Sequence, residues 1–326
     1  MTIKYNKVFI NNTYTIVGPY ETNGPLSKYF SKKYEDFYFG EKTWEQAETK
    51  IILESIKKLT NKTIPDLLIG GDLLNQIVAS NYAAAKIRSS FIGLYSACST
   101  STLGLIIGSN FIEKSLASSI ITFTSSHNNA AEKQYRYPVE YGGPKPKTTT
   151  FTSTGVASAL LSNKKEGIKI ESGTIGRVID SGTKNVFHMG AVMAKAAADT
   201  IFNHLKDLNR EIDYYDLVLS GDLGIYGKNI LKEYMKKKYD INLINYNDTG
   251  TMLYGENQPV YAGASGPACA PLVTYGYIFE LMKKKKIKKV LLVATGALMN
   301  PTMVNQKLTI PAIAHAVSLE VISWYI

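Results

Sequence analysis

Cysteine and histidine are both scarce in this sequence, and each shortage argues against a class of protein. Only two cysteines, Cys98 and Cys269, occur among 326 residues, which argues against a disulfide framework and a cysteine-rich metal site. The four histidines show no metal-ligand spacing such as His-x-x-x-His. We therefore expect no tightly held metal and no other cofactor.

Long apolar runs are also missing. Charged residues interrupt every apolar stretch before it reaches the roughly 18 residues that a membrane span requires. The first seven residues lack the apolar run of a secretory signal. We therefore expect a protein made in the cytoplasm, whose attachment to any membrane is peripheral.

Positive charge is abundant. The formal net charge is +10, and lysines cluster at residues 236–238 and 283–286. Such runs are typical of solvated helix ends, but a basic surface also favours an anionic partner, either a membrane with anionic lipid or an acidic small molecule. No helix-turn-helix, zinc or stacking-sheet motif accompanies the charge, so we do not expect nucleic acid as a partner.

An internal repeat organises the chain. Residues 66–73 read as a short buried strand ending in a glycine turn, and residues 216–223 repeat the pattern. A β-rich run closes each half, at residues 120–124 and 290–294. Alternating strands and helices predict an α/β fold built from two pseudo-symmetric halves, which we place at residues 1–170 and 171–326.

The turn before a predicted helix makes Cys98 a candidate site residue. A strand-like segment precedes it, small residues surround it, and residues 103–114 have helical periodicity. Unpaired N–H groups and the helix dipole would stabilise a thiolate or a bound anion there. A buried structural cysteine is the alternative, and we expect Cys269 to be structural.

Several strings give the sequence a specific resemblance. It resembles the stage V sporulation protein AD family of the thiolase superfamily along nearly its whole length. The strings that carry this resemblance are residues 70–76 (GGDLLNQ), 97–101 (ACSTS), 125–128 (SSHN), 136–143 (RYPVEYGG), 176–180 (GRVID), 293–298 (VATGAL) and 310–315 (IPAIAH).

The resemblance implies an αβαβα thiolase-like fold and a specific ligand. That ligand is dipicolinic acid, pyridine-2,6-dicarboxylate, which the family moves into the developing spore together with membrane proteins of the same operon. The expected location is peripheral to the spore inner membrane. Release of the acid in germination, a calcium ion bound with it and a homodimer are open alternatives.

Departures from the enzyme pattern argue against catalysis. Condensing enzymes of this fold pair their cysteine with histidines from the second half, where this chain has Asp222-Leu223 and Ala264-Ser265. Without a base and oxyanion donors, acyl transfer loses several kcal/mol of transition-state stabilisation. We expect a non-catalytic binding protein, with a condensing enzyme that uses Cys98 as nucleophile as the alternative.

A dicarboxylate needs fixed cationic donors. A segment rich in proline, glycine and lysine, residues 135–150, supplies Arg136, Lys145 and Lys147, of which Arg136 is the first choice because its planar group can grip a carboxylate. The other predicted ligand-binding residues come from the motifs described above: Cys98, Ser99, Thr100, His127, Asp222, Ser265 and His315.

Overall fold

The computed structural model describes residues 1–60, 64–135 and 145–322. Its helices are α1 (Pro19–Thr22), α2 (Trp44–Thr60), α3 (Val78–Ala84), α4 (Thr100–Glu113), α5 (Asn128–Tyr135), α6 (Met189–Leu208), α7 (Gly224–Tyr239), α8 (Cys269–Val273), α9 (Phe279–Lys283) and α10 (Pro301–Asn305). A π-helical turn, Thr274–Ile278, joins α8 to α9.

The strands alternate with these helices, as the sequence predicts. They are β1 (Thr2–Lys4), β2 (Phe9–Val17), β3 (Lys32–Lys33), β4 (Leu67–Gly71), β5 (Ser90–Gly93), β6 (Ser119–Ser126), β7 (Phe151–Thr152), β8 (Gly155–Ser162), β9 (Ile168–Thr174), β10 (Ile179–Asp180), β11 (Leu217–Ser220), β12 (Tyr246–Asp248), β13 (Ala264–Ser265), β14 (Lys289–Ala297) and β15 (Pro311–Val321).

The main sheet contains the same five-stranded unit twice. The first unit has the order β5-β4-β6-β8-β2, and the second has the order β12-β11-β14-β15-β9. In each unit the first three strands are parallel and the last two pair antiparallel. The units join where β2 pairs with β9, with Ile10 opposite Ile168. The predicted division at residue 170 falls inside β9, and it stays a prediction.

Helices cover both units and separate them. α2 and α3 lie on the first unit, and α6 and α7 lie on the second. α4 contacts strands of both units and forms the central layer with α8 and α9. This arrangement confirms the predicted αβαβα fold.

Small residues explain how α4 fits between two sheets. A helix that is buried on all sides needs positions where strands can approach its backbone closely. Gly108 is such a position, because a Cβ atom there would lie 3.2 Å from the Leu161 side chain on β8. Leu105 and Ile106 fill the core on either side and are fully buried.

Candidate functional site

A cavity of about 670 Å³ opens at the carboxyl ends of the strands of both units. This is the edge where ligands bind in open α/β sheets. The wall residues lie in loops after β4, β5 and β14, on α5, in the first turns of α6 and α10, and beside β7 and β13: Leu73, Asn75, Tyr95, Ala97, Cys98, Ala131, Glu132, Gln134, Tyr135, Thr152, Met189, Met193, Ser265, Gly266, Ala297, Leu298, Met299, Asn300, Pro301 and Thr302.

Cys98 lies in this wall, on a tight turn directly before α4. The turn, Ala97–Ser99, is a 3₁₀ helix, and Ala97 has a φ of 46°, in the left-handed region that favours glycine. Gly296 on β14 supports the turn from below, because a Cβ atom there would lie 2.8 Å from the Ser96 carbonyl oxygen. Both units of the sheet therefore position Cys98, which is partly exposed at the end of a 14-residue helix.

The two repeated Gly-Asp turns have different roles. In the first half, Asp72 accepts hydrogen bonds from the backbone N–H groups of Leu74 and Ser80 and from the Ser80 hydroxyl, so its carboxylate stabilises the turn. In the second half, Asp248 stabilises the turn instead, because it accepts hydrogen bonds from the N–H groups of Leu223 and Gly224. Asp222, which occupies the same place in the repeat as Asp72, therefore does not accept the hydrogen bonds that stabilise the turn.

Asp222 is fully buried and lies beside the two cysteines. Neither of its carboxyl oxygens has a hydrogen bond of standard geometry. Burial raises the pKa of Asp222 well above its usual value, the nearby Cys98 thiol opposes this rise, and the Asp248 charge adds to it. Burial therefore disfavours the charged form of Asp222, which is the form that a base in acyl transfer needs to accept the Cys98 proton.

An ion pair lies on the α5 side of the cavity. The Glu132 carboxyl group is 1% exposed, and Lys145 Nζ lies 3.0 Å from its Oε2 atom. The Thr152 hydroxyl lies 3.4 Å from its Oε1 atom. This ion pair places Lys145, at the C-terminal side of the predicted loop, next to the cavity wall. The Lys145 side chain remains partly exposed.

Two side-chain amides, those of Gln134 and Asn300, belong to the cavity wall. The Gln134 oxygen accepts from the Asn75 backbone N–H at 3.0 Å, and the Asn300 oxygen accepts from the first N–H groups of α10. With the oxygens occupied, the NH₂ groups are the parts left to donate. Tyr135 and Tyr95 are less available, because both hydroxyls lie within hydrogen-bond distance of the Leu73 carbonyl oxygen and of each other.

The predicted site histidines lie outside the cavity wall. His127 donates from Nε2 to the Phe37 carbonyl oxygen and stacks on Trp44, and burial lowers its pKa to about 4. His315 accepts from the Gly176 N–H at Nδ1, and burial lowers its pKa to about 4 as well. Each ring is neutral at pH 7, and neither lines the cavity.

The remaining predicted residues divide into four groups. Ser265 lines the cavity next to Gly266, whose φ of 101° turns the chain toward it. Ser99 and Thr100 lie beneath the Cys98 turn, where their hydroxyls donate to the carbonyl oxygens of Ser96 and Ala97. Lys147 is exposed and does not line the cavity. Arg136 lies outside the described residues, so its predicted role stays a prediction.

Sequence reasoning missed most of the wall, since only Cys98 and Ser265 of the predicted site residues line it. Glu132, Gln134, Met189 and Asn300 were not predicted as site residues, although Glu132, Gln134 and Asn300 follow predicted strands. The usable signal was the β-rich run at residues 290–294, since its carboxyl end leads directly to the wall segment 297–302.

Two further properties concern metals and membranes. Among the described residues, no group of three or more histidine, cysteine, aspartate or glutamate side chains is arranged to hold a metal ion. In the same part of the chain, no helix has both the length and the apolar character to cross a bilayer.

The fold and the position of Cys98 define the class of the protein. The structure is similar to 3-oxoacyl-[acyl-carrier-protein] synthase III from Aquifex aeolicus, with a TM-score of 0.56, 15% identity and coverage of 96% of this chain and 99% of that one. It is also similar to a variant of OleA from Xanthomonas campestris, with a TM-score of 0.60, 14% identity and coverage of 97% and 98%. The chain thus has the thiolase-like fold of these proteins.

Sequence comparison identifies the family within that class. The model of the family described as stage V sporulation protein AD matches residues 1–320. Stage V sporulation protein AD of Bacillus subtilis (strain 168) is 43% identical over 319 residues, covering 96% of this chain and 94% of that protein. The chain belongs to the stage V sporulation protein AD family and is a sporulation protein with a thiolase-like fold.

Proposed function

We propose that this protein binds dipicolinic acid in the Cys98 cavity and serves the uptake of the acid into the developing spore, without acting as an enzyme. The observation that carries the proposal is the cavity itself, in a member of a sporulation family. Its volume of about 670 Å³ falls in the range of small-molecule sites. Release of the acid in germination would use the same site.

The donors around the cavity suit a flat dianion. The α4 and α6 helices both begin at the wall, so the positive ends of two long helix dipoles meet there. The amide groups of Gln134 and Asn300 can donate to carboxylate oxygens. Lys145 offers a cation whose three protons can serve both Glu132 and a ligand.

The Glu132 carboxylate makes it possible to distinguish binding of the free acid from binding of its calcium complex. A buried carboxylate next to a bare dianion is repulsive, and the ion pair with Lys145 reduces this repulsion. If dipicolinate arrives as a calcium complex, the same carboxylate is a suitable oxygen ligand for the metal. The two cases predict opposite effects of Glu132→Gln, which strengthens binding of the free acid and weakens binding of the complex.

The alternative is an acyl-transfer enzyme that uses Cys98. The position of Cys98 at the start of α4 and the enzymes that share the fold favour it. The group beside Cys98 opposes it, because burial disfavours the charged form of Asp222 that a base would need, and no histidine lines the described part of the cavity.

The proposed location is peripheral to the spore inner membrane, where membrane proteins of the same operon would take over the acid. The high net positive charge supports contact with an anionic membrane. A homodimer is compatible with this arrangement.

Calorimetric titration of the purified protein with dipicolinic acid tests the proposal. Cyclohexane-1,3-dicarboxylate, which has two carboxylates but no flat ring, is the control ligand. Saturable binding of dipicolinate that exceeds binding of the control supports the proposal. Equal or absent binding of the two, with and without calcium, contradicts it.

A further inference from the structure

Exposed lysines are concentrated at the end of the molecule opposite the cavity. Lys114 follows α4, residues 284–286 follow α9, and Lys164 and Lys165 lie in the hairpin between β8 and β9. Ser119 at the start of β6 is paired with Ser162, which immediately precedes this hairpin. Since α4 and α9 share one core cluster in the central layer, their ends and the hairpin form a common surface, here called the basic end.

The two halves build this surface in the same way. After α4 the chain turns at Ser115, with a φ of 56°, and after α9 it turns at Lys285, with a φ of 55°. Leu116 directly follows the first turn, and Ile287 lies two residues after the second. Leu116 is 71% exposed, so a large apolar side chain projects from this surface two residues after Lys114.

Most of these lysines have no ion pair, because the nearby carboxylates accept hydrogen bonds from other groups. Glu113 is occupied by the N–H groups of Asn6 and Lys7, and Asp216 by those of Lys288 and Lys289. Lys164 pairs with Glu166. Over the described residues, no carboxylate lies within ion-pair distance of Lys114, Lys165 or any lysine at 284–286.

Lysines in the last turn of a helix are common, because they complement the helix dipole. That effect does not account for the hairpin lysines or for the exposed Leu116. Unpaired lysines around a projecting apolar side chain match the requirements of an anionic bilayer surface, where the charges meet lipid headgroups and the apolar group enters the boundary.

We propose that the basic end docks on a membrane that carries anionic lipid. The proposal rests on the peripheral location proposed above and names the surface that makes the contact. The cavity then opens away from the lipid, because it lies at the opposite ends of the same strands. Dipicolinate would therefore enter from the aqueous side and not from the bilayer.

Vesicle sedimentation tests the docking surface. The full-length protein is mixed with vesicles of phosphatidylcholine alone or with 30% phosphatidylglycerol, roughly a physiological anionic density. One variant replaces the lysines at 284–286 by glutamate, and a second carries Leu116→Ala. The matched control replaces three exposed lysines at the cavity end, Lys42, Lys184 and Lys307, by glutamate. Its net charge therefore changes by the same amount.

A lysine near an anionic surface contributes about fivefold in affinity. We expect the 284–286 variant to lose at least tenfold in binding to anionic vesicles, Leu116→Ala to lose several-fold, and the control variant to stay within about threefold of the wild type. Circular dichroism verifies folding of each variant.

Equal losses in the two triple variants, or equal binding to neutral vesicles, would overturn the docking surface. Tighter binding of duplex DNA than of anionic vesicles would replace lipid by nucleic acid and also overturn it. Dipicolinate binding is measured separately on the same variants. It tests the proposed function independently of the membrane-docking proposal.

Discussion

Replacement of Asp222 by asparagine should change how the stability of the protein depends on pH. Burial without a cation raises the pKa of this carboxyl group well above its usual value of 3.8. Below pH 3.8 the group is protonated in both the folded and the unfolded chain, and the stability is unaffected. As the pH rises further, the unfolded chain ionises and the folded protein resists ionisation, so stability is lost until the raised pKa is reached.

The size of this loss follows from linkage. Each pH unit inside the window lowers the free energy of unfolding by about 1.4 kcal/mol for one such group. Asparagine has nearly the same shape and does not ionise. Between about pH 4.5 and the raised pKa, Asp222→Asn should therefore gain about 1.4 kcal/mol per pH unit relative to the wild type.

Urea unfolding followed by circular dichroism at several pH values between about 4.5 and 6 measures this difference. Other buried acids, such as Glu48 and Asp72, titrate in both proteins and cancel in the comparison. Asp213→Asn, which removes an exposed carboxyl group, is the control and should run parallel to the wild type. A free-energy difference for Asp222→Asn that does not change with pH would refute the raised pKa of Asp222.

Three further outcomes follow from the site. Lys145→Ala should weaken dipicolinate binding roughly 10- to 100-fold by calorimetry, because it removes a cation that can bind a ligand carboxylate beside the buried Glu132, and unchanged affinity would remove Lys145 from the site. Gly296→Ala should lower the free energy of unfolding in urea by about 1–3 kcal/mol, because the new Cβ atom would clash with the backbone of the Cys98 turn. The control, Gly255→Ala, should be near neutral, because its Cβ atom would meet no atom closer than 3.8 Å. Intact-mass spectrometry after incubation with acyl-coenzyme A should show no stable adduct on Cys98, and an adduct would restore the enzyme alternative.

The sequence predicts the fold well because the fold depends on local patterns. Both Gly-Asp turns, the strands before them and the helix after Cys98 follow from periodicity and small residues, and the structure has each of them. The position of Cys98 was predictable for the same reason. It depends only on a strand, a turn and a helix that are adjacent in the chain.

The rest of the cavity depends on contacts between distant segments. His127 follows a strand at the correct edge, yet its ring turns away from the cavity into an aromatic cluster with Trp44, which no local pattern reveals. Glu132 and Asn300 come from different halves and meet only because the two units pack together. Which acid is released from its turn, Asp222 and not Asp72, likewise depends on Asp248, which lies 26 residues further along the chain.

Alkylation of Cys98 by iodoacetamide, followed by peptide mass spectrometry, tests the central claim most directly because it reports both binding and location. Cys269 is fully buried and serves as the internal control for local unfolding. If dipicolinate occupies the cavity, it should slow alkylation of Cys98 at least tenfold with a saturable dependence on its concentration, while cyclohexane-1,3-dicarboxylate has little effect. An unchanged alkylation rate of Cys98 at dipicolinate concentrations that saturate the calorimetric signal would contradict binding in this cavity.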